Sequence, residues 1–205
     1  MSRTIVVGML LLGVALAPFT ARAGAAGAAA EKIVPVLNVG DDAPEFTLKL
    51  YNPQDAGSAV VSLGNLVGDD AEDPKVKTVL VSFMASWCAP CKKEMPFLQT
   101  LSDRYKAQGL RVLIVSIDKE EDGQAKVREL IAANKTTVPV LMDRFNFMAK
   151  RWLGDKSPLP SVFLVDQKGK IAMAHTGYGE DGSTFLETSV QAAVGAAPKV
   201  ASEKK

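Results

Sequence analysis

Two cysteines, Cys88 and Cys91, stand three positions apart in the segment Trp87-Cys88-Ala89-Pro90-Cys91, and the sequence holds no others. In the chain-entropy picture a disulfide stabilises by closing a long loop, and a four-residue ring gains only about 2 kcal/mol. The pair is therefore a poor staple and a good redox switch. Zinc would need about four ligands, but the sequence adds only the distant His175 to the two thiols. No metal and no cofactor is expected. The chemistry open to the pair is thiol exchange. A Cys88 thiolate attacks a substrate disulfide and is joined to it. Cys91 then attacks the Cys88 sulfur, frees the reduced substrate and leaves a Cys88–Cys91 disulfide, which another protein must re-reduce.

The elements around the pair suit that chemistry. Residues 78–84 form a nearly continuous apolar run that reads as a buried central strand. It leads directly into a helical pattern from Cys88 to about Gln108, with Met95, Leu98, Leu101 and Tyr105 on one side and Gly109 as the stop. Cys88 thus sits where a helix begins. Unpaired N–H groups and a partial positive charge there favour its thiolate. Pro90 pre-sets φ in the first turn. Cys91 lies one turn on, on the same face, more buried and less ionised. Neither Ala89 nor Pro90 brings a charge that would stabilise the thiolate further, so a reducing rather than strongly oxidising couple is expected.

Strand-like runs at residues 46–50 and 59–63 can pair as a hairpin, and 110–117, 161–165 and 170–174 continue the β pattern. Helical spacing recurs at 122–134 (Val127, Leu130, Ile131), in a helix capped by Asp143 (Phe145, Met148, Ala149, Trp152) and at 184–194. Pro139 reads as a strand-edge proline and His175 as a strand-end or surface residue. Strands alternating with helices predict an α/β fold, a mixed sheet with helices on its faces. At the N-terminus Arg3 precedes the uncharged, mostly apolar run 4–18, and Ala21-Arg22-Ala23 offers a cleavage site. This is the pattern of a signal peptide over 1–23. An uncleaved membrane anchor is the alternative, although the run is short for a span of about 20 residues. Residues 24–38 read as an Ala/Gly-rich linker, 39–195 as the folded domain and 196–205 as a disordered tail. Hydrophobic residues make up 47%, enough for a sizeable core, and a net charge of +1 gives no footprint for nucleic acid.

These motifs together resemble the TlpA/ResA-like branch of the thioredoxin superfamily. The resemblance covers residues 39–195. It rests on Val39-Gly40-Asp41-Asp42-Ala43-Pro44-Glu45-Phe46-Thr47-Leu48, an opening shared with peroxiredoxins, on Trp87-Cys88-Ala89-Pro90-Cys91, on Pro96 in the active-site helix, and on Leu159-Pro160-Ser161-Val162-Phe163-Leu164-Val165-Asp166. It implies a thioredoxin fold with an N-terminal β-hairpin and a central helical insert, here 122–134. It also implies that Pro160 is cis beside the disulfide, leaving the backbone of Leu159 free to pair with an extended substrate. Trp87 and Pro90 would border that substrate site. Glu94 matches an acid that tunes the cysteines in ResA-like proteins; read on its own it is equally a solvated helix charge beside Lys92 and Lys93. Cytosolic thioredoxins carry a buried acid six residues before the first cysteine, where this chain has Ser82.

The expected function is that of an exported, periplasmic thiol–disulfide oxidoreductase, a monomer that reduces disulfides in client proteins. Apocytochrome c, in cytochrome c maturation, is one such client. Electrons would come from a membrane thiol carrier. A thiol peroxidase is one alternative, but peroxiredoxins place Thr or Ser three residues and Pro seven residues before the reactive cysteine, where this chain has Ala85 and Val81. An exported oxidase or isomerase is another, but these usually carry His between the cysteines.

Overall fold

A computed structural model describes residues 36–196. The expected signal segment 1–23 lies outside the described residues, as do most of the 24–38 linker and nearly all of the 196–205 tail. In chain order the elements are β1 (Thr47–Leu50), α1 (Pro53–Ala56), β2 (Val60–Ser62), β3 (Thr78–Met84), α2 (Ala89–Tyr105), β4 (Leu110–Ser116), α3 (Glu121–Asn134), β5 (Val140–Met142), α4 (Phe147–Leu153), β6 (Ser161–Asp166), β7 (Ile171–Thr176) and α5 (Gly182–Val194). A single 3-10 turn, Lys106–Gln108, extends α2 to Gly109, whose φ of 104° lets the chain reverse where its neighbour, the Lys75 carbonyl, leaves no room for a side chain.

The strands form one mixed sheet in the order β2-β1-β5-β4-β3-β6-β7. β3, β4 and β5 are parallel, and the remaining pairs are antiparallel. This is the thioredoxin fold, with the expected hairpin β1–β2 attached through β5. Every residue of β3 is buried, as befits a central strand covered on both faces. Successive side chains point to opposite faces. Ser82 accordingly hydrogen-bonds Glu94 of α2 while Phe83 packs on Trp152 of α4. The register Met84–Ser116–Met142 brings the ends of the three parallel strands to one edge. Open α/β sheets place their sites at that edge.

Beneath α4 lies an aromatic cluster. Trp152 is fully buried with its ring centroid 5.1 Å from Phe163, 5.7 Å from Phe83 and 6.2 Å from Phe46. Its indole N–H donates to the Pro44 carbonyl at 3.1 Å. The opening segment is pinned a second time by Gly40 N–H to Ile171 O and Ala43 N–H to Gly169 O.

One local expectation is corrected. Phe145 does not share the buried face of α4: Asn146 takes a left-handed φ of 57°, the helix begins after it at Phe147, and Phe145 is exposed. Asp143 still serves that helix, accepting from Ala149 N–H at 2.7 Å. Pro139 stands at the end of a strand as expected, immediately before β5, which lies inside the sheet. Its carbonyl accepts from Ile114 N–H at the point where β5 begins.

Replacing Trp152 by Ala removes the centre of the aromatic cluster and the anchor of the opening segment. An unfolding free energy lower by about 3–5 kcal/mol is expected in urea titration. A loss below about 1 kcal/mol would show that the cluster does not hold α4 to the sheet.

Candidate active site

Cys88 ends the loop that leaves β3 and is the N-cap of α2. Its N–H donates to Ala85 O at 3.0 Å and its carbonyl receives Lys92 N–H at 3.3 Å, which fixes the turn from strand into helix. Its sulfur accepts the Cys91 N–H at 3.3 Å. The cap is therefore made by the Cys88 sulfur itself, in the place where Ser or Asp commonly serve. Cys88 and Cys91 form a disulfide, with Cα atoms 5.3 Å apart. Both cysteines are buried, Cys91 more than Cys88 (2% against 5% exposed). Ala89 is exposed and Pro90 half-buried beside it. Trp87 is 70% exposed, so packing does not explain it.

β6 runs antiparallel to β3 with Ser161 opposite Phe83. That register brings Pro160 to the sheet edge where the Cys88 turn leaves. The Leu159–Pro160 peptide is cis, and Pro160 is buried with its carbonyl accepting Gly177 N–H at 2.8 Å. Ser161 Oγ donates back to Pro158 O at 2.8 Å and closes the turn. Among the main-chain hydrogen bonds outside helices and strands, none involves Leu159, which is half-buried.

Glu94 is not a solvated helix charge. It follows Cys91 by three residues, lies under the helix and is 1% exposed, whereas Lys92 and Lys93 are exposed. Ser82 Oγ donates to its Oε2 at 2.8 Å, and its Oε1 is buried without a hydrogen-bond partner. Burial pushes its pKa from 4.5 up to about 7, the Ser82 hydrogen bond opposing. Tyr178, on the loop after β7, is itself pushed up by burial and then by the Glu94 charge, which sets that loop close to the carboxyl. The two positions where a peroxiredoxin would carry polar and proline residues, Ala85 and Val81, are fully buried and apolar. His175 lies in β7 with its ring 4.5 Å from that of Phe185. Among the described residues no cluster of His, Cys, Asp and Glu could hold a metal ion.

One part of the site was not anticipated from the sequence. Asp118 follows β4, is 4% exposed, and takes both the N–H (2.9 Å) and the Oγ–H (2.7 Å) of Ser86, two residues before Cys88. The readable signal was its place: an acid directly after an apolar parallel strand, at the edge where such sheets carry their sites.

Residues 39–174 match the AhpC/TSA family. Sporulation thiol-disulfide oxidoreductase A of Bacillus subtilis is 31% identical over 125 residues, 60% of this chain and 74% of the relative. Thiol-disulfide oxidoreductase ResA of the same organism is 28% identical over 141 residues, 69% of each chain. Among solved structures, thiol:disulfide interchange protein DsbE from Chlorobium tepidum superposes with a TM-score of 0.64 at 26% identity, covering 77% of this chain and 99% of its own.

In the oxidised protein the cysteines do not titrate, so Glu94 can be followed alone. A carboxyl whose native pKa is raised binds its proton more tightly folded than unfolded. Its contribution to stability is complete below about pH 4.5 and is lost as pH rises through about 7. Between pH 4.5 and 8.5 the wild type should lose on the order of 3 kcal/mol relative to Glu94→Gln. Parallel stability curves for the two proteins in urea titrations would show that Glu94 titrates normally.

Proposed function

The chain belongs to the AhpC/TSA family and is a thiol–disulfide oxidoreductase of the ResA-like kind, and from that premise we propose that it is exported and reduces disulfides in client proteins by cycling Cys88 and Cys91. The observation that carries the reading is the Cys88 sulfur capping its own helix, with Cys91 bonded to it from one turn below. In the reduced protein the same amide and helix terminus would hold negative charge on Cys88.

The cycle balances as follows. Cys88 thiolate attacks one sulfur of the client disulfide. That S–S bond breaks, a client thiolate leaves and takes a proton, and a Cys88–client disulfide forms. Cys91 then gives up its proton and attacks the Cys88 sulfur. The second client sulfur leaves as thiolate and is protonated. The client has gained two electrons and two protons, and the protein is left with the Cys88–Cys91 bridge. Glu94, buried on the Cys91 side with a pKa near neutrality, is suited to receive the Cys91 proton in this step and to return it when the bridge is reduced. Leu159, absent from the main-chain hydrogen bonds outside helices and strands among the described residues, would pair with an extended client segment beside Pro160. Exposed Trp87 and the adjoining Pro90 would border it.

Export rests on the signal-like segment 1–23. An oxidising compartment is where clients carry disulfides and where a reducing enzyme needs an external electron source. A membrane thiol carrier is proposed as that source, with the protein acting as a monomer and apocytochrome c among its clients. Among the described residues no helix is long and apolar enough to cross a membrane.

Two measurements test the cycle. Cys91→Ala should accumulate covalent complexes with clients in the native host, and Cys88→Ala should accumulate none; equal trapping by both removes Cys88 as the attacking sulfur. The potential of the purified domain should fall near about −270 mV, the thioredoxin range, and a value near about −120 mV would make it an oxidase.

A further inference from the structure

We propose that Asp118 is a positioning residue for the reaction at Cys88, acting through Ser86 to keep the Cys88–Cys91 couple reducing. The inference rests on the reading of Cys88 as the attacking sulfur. The turn that carries Cys88 leaves β3 at Met84 and must hold its sulfur over the start of α2 across only Ala85, Ser86 and Trp87. Trp87 points outward and contributes no anchor. Ser86 is 4% exposed and is tied at both its polar groups to a single side chain. Its N–H meets Asp118 Oδ2 at 2.9 Å and its Oγ–H meets Oδ1 at 2.7 Å. This two-pronged grip fixes both the position and the rotation of the residue.

Asp118 is itself held from two further sides. Ser116 Oγ donates to its Oδ2 at 2.9 Å and receives its N–H at 3.2 Å, so the carboxylate is braced against the last residue of β4. On the other side stands the inserted helix. A Cβ at Gly123, the third residue of α3, would lie 2.7 Å from Asp118 Oδ1 and 3.2 Å from its Cβ. Gly123 does not have a left-handed φ, so the requirement there is space and not backbone freedom. Glycine inside a helix is less favourable than alanine, and what the missing side chain permits is the close seating of α3 on the carboxylate. The insert, β4 and the active-site turn thus meet at one buried side chain.

Two effects of this grip act in the same direction. Holding the turn keeps the Cys88 sulfur where Cys91 can reach it, which raises the effective concentration of one sulfur toward the other and favours the bridge. A negative charge held against the same turn disfavours a thiolate on Cys88 and so disfavours the open form. Both make the disulfide harder to reduce and the dithiol a stronger reductant.

The test is the equilibrium of the full folded chain with glutathione, measured for wild type, Asp118→Asn, Ser86→Ala and the double variant. Asp118→Asn should make the couple about tenfold easier to reduce, close to 30 mV less reducing. Ser86→Ala, which keeps the N–H prong, should move it about threefold in the same direction. The double variant should match Asp118→Asn within about twofold, since one residue acts through the other. Loss of packing alone would lower the unfolding midpoint without moving this equilibrium. Wild-type equilibria in folded Asp118→Asn and Ser86→Ala overturn the proposal, as does strict additivity in the double variant. Should Asp118→Asn fail to fold, an unmoved equilibrium in Ser86→Ala overturns it by itself. Failure of the underlying reading shows separately, as an inability of Cys91→Ala with Asp118 intact to trap clients.

Discussion

The site depends on one hydrogen bond: the amide of Cys91 directed at the sulfur of Cys88 across the first turn of α2. It exists only because β3 stops and α2 starts within four residues, so that the sulfur falls at the N-cap. The bond is weak as long as sulfur is neutral or bridged, and it strengthens when the sulfur carries charge. The protein therefore does little to hold the oxidised state through this contact. In the proposed cycle it would accommodate the Cys88 thiolate before a client arrives, the preorganisation that nucleophilic catalysis needs. Strand β3, buried along its whole length, supplies the rigidity that makes so short a junction reproducible.

Two buried carboxyl groups flank this junction, and their surroundings assign them different work. Asp118 is satisfied by three donors, a pattern suited to a fixed charge that organises its neighbours. Glu94 has one donor and one orphaned oxygen, and its pKa is moved to about 7. A carboxyl so poorly satisfied is costly to ionise, and for that reason can exchange a proton near neutral pH. The two sit on different elements, one after β4 and one on α2, and do not compete for the same hydrogen bonds. Ser82 stands where cytosolic thioredoxins carry their acid, and it hydrogen-bonds Glu94. The buried acid near the cysteines is here on the helix, and the residue at the strand position donates to it.

Much of this was legible in the sequence, for identifiable reasons. The β3 run and the cysteine spacing are local signals, and β3 spans 78–84 as its apolar pattern predicts. The hairpin and the mixed sheet followed from alternation of periods, and the insert from the resemblance to TlpA/ResA-like proteins. What escaped depended on contacts between distant residues. Glu94 among lysines reads equally as a surface charge, because a single acid carries no periodicity and only the turn of α2 decides that it faces inward. Asp118 binds Ser86 across 32 positions, and nothing in either neighbourhood announces the other. Phe145 was misplaced because Asn146 breaks the helical phase with a positive φ, a backbone choice that asparagine tolerates but does not declare.

The exposed aromatics at the same edge stand apart from the packing that holds the fold. Trp87 is 70% exposed, and Phe145 and Phe147, with ring centroids 5.9 Å apart, are likewise outside the core. All three follow the ends of parallel strands, Trp87 after β3 and the phenylalanines after β5. The core beneath them is closed by Trp152, Phe83 and Phe163, none of which reaches this edge as an exposed group. Apolar groups left in water at the strand ends add nothing to stability, and their removal would leave the aromatic cluster and the Ser86–Asp118 grip intact. The division separates the buried junction that sets the Cys88 sulfur from the exposed rim around it, the part of a fold most free to vary.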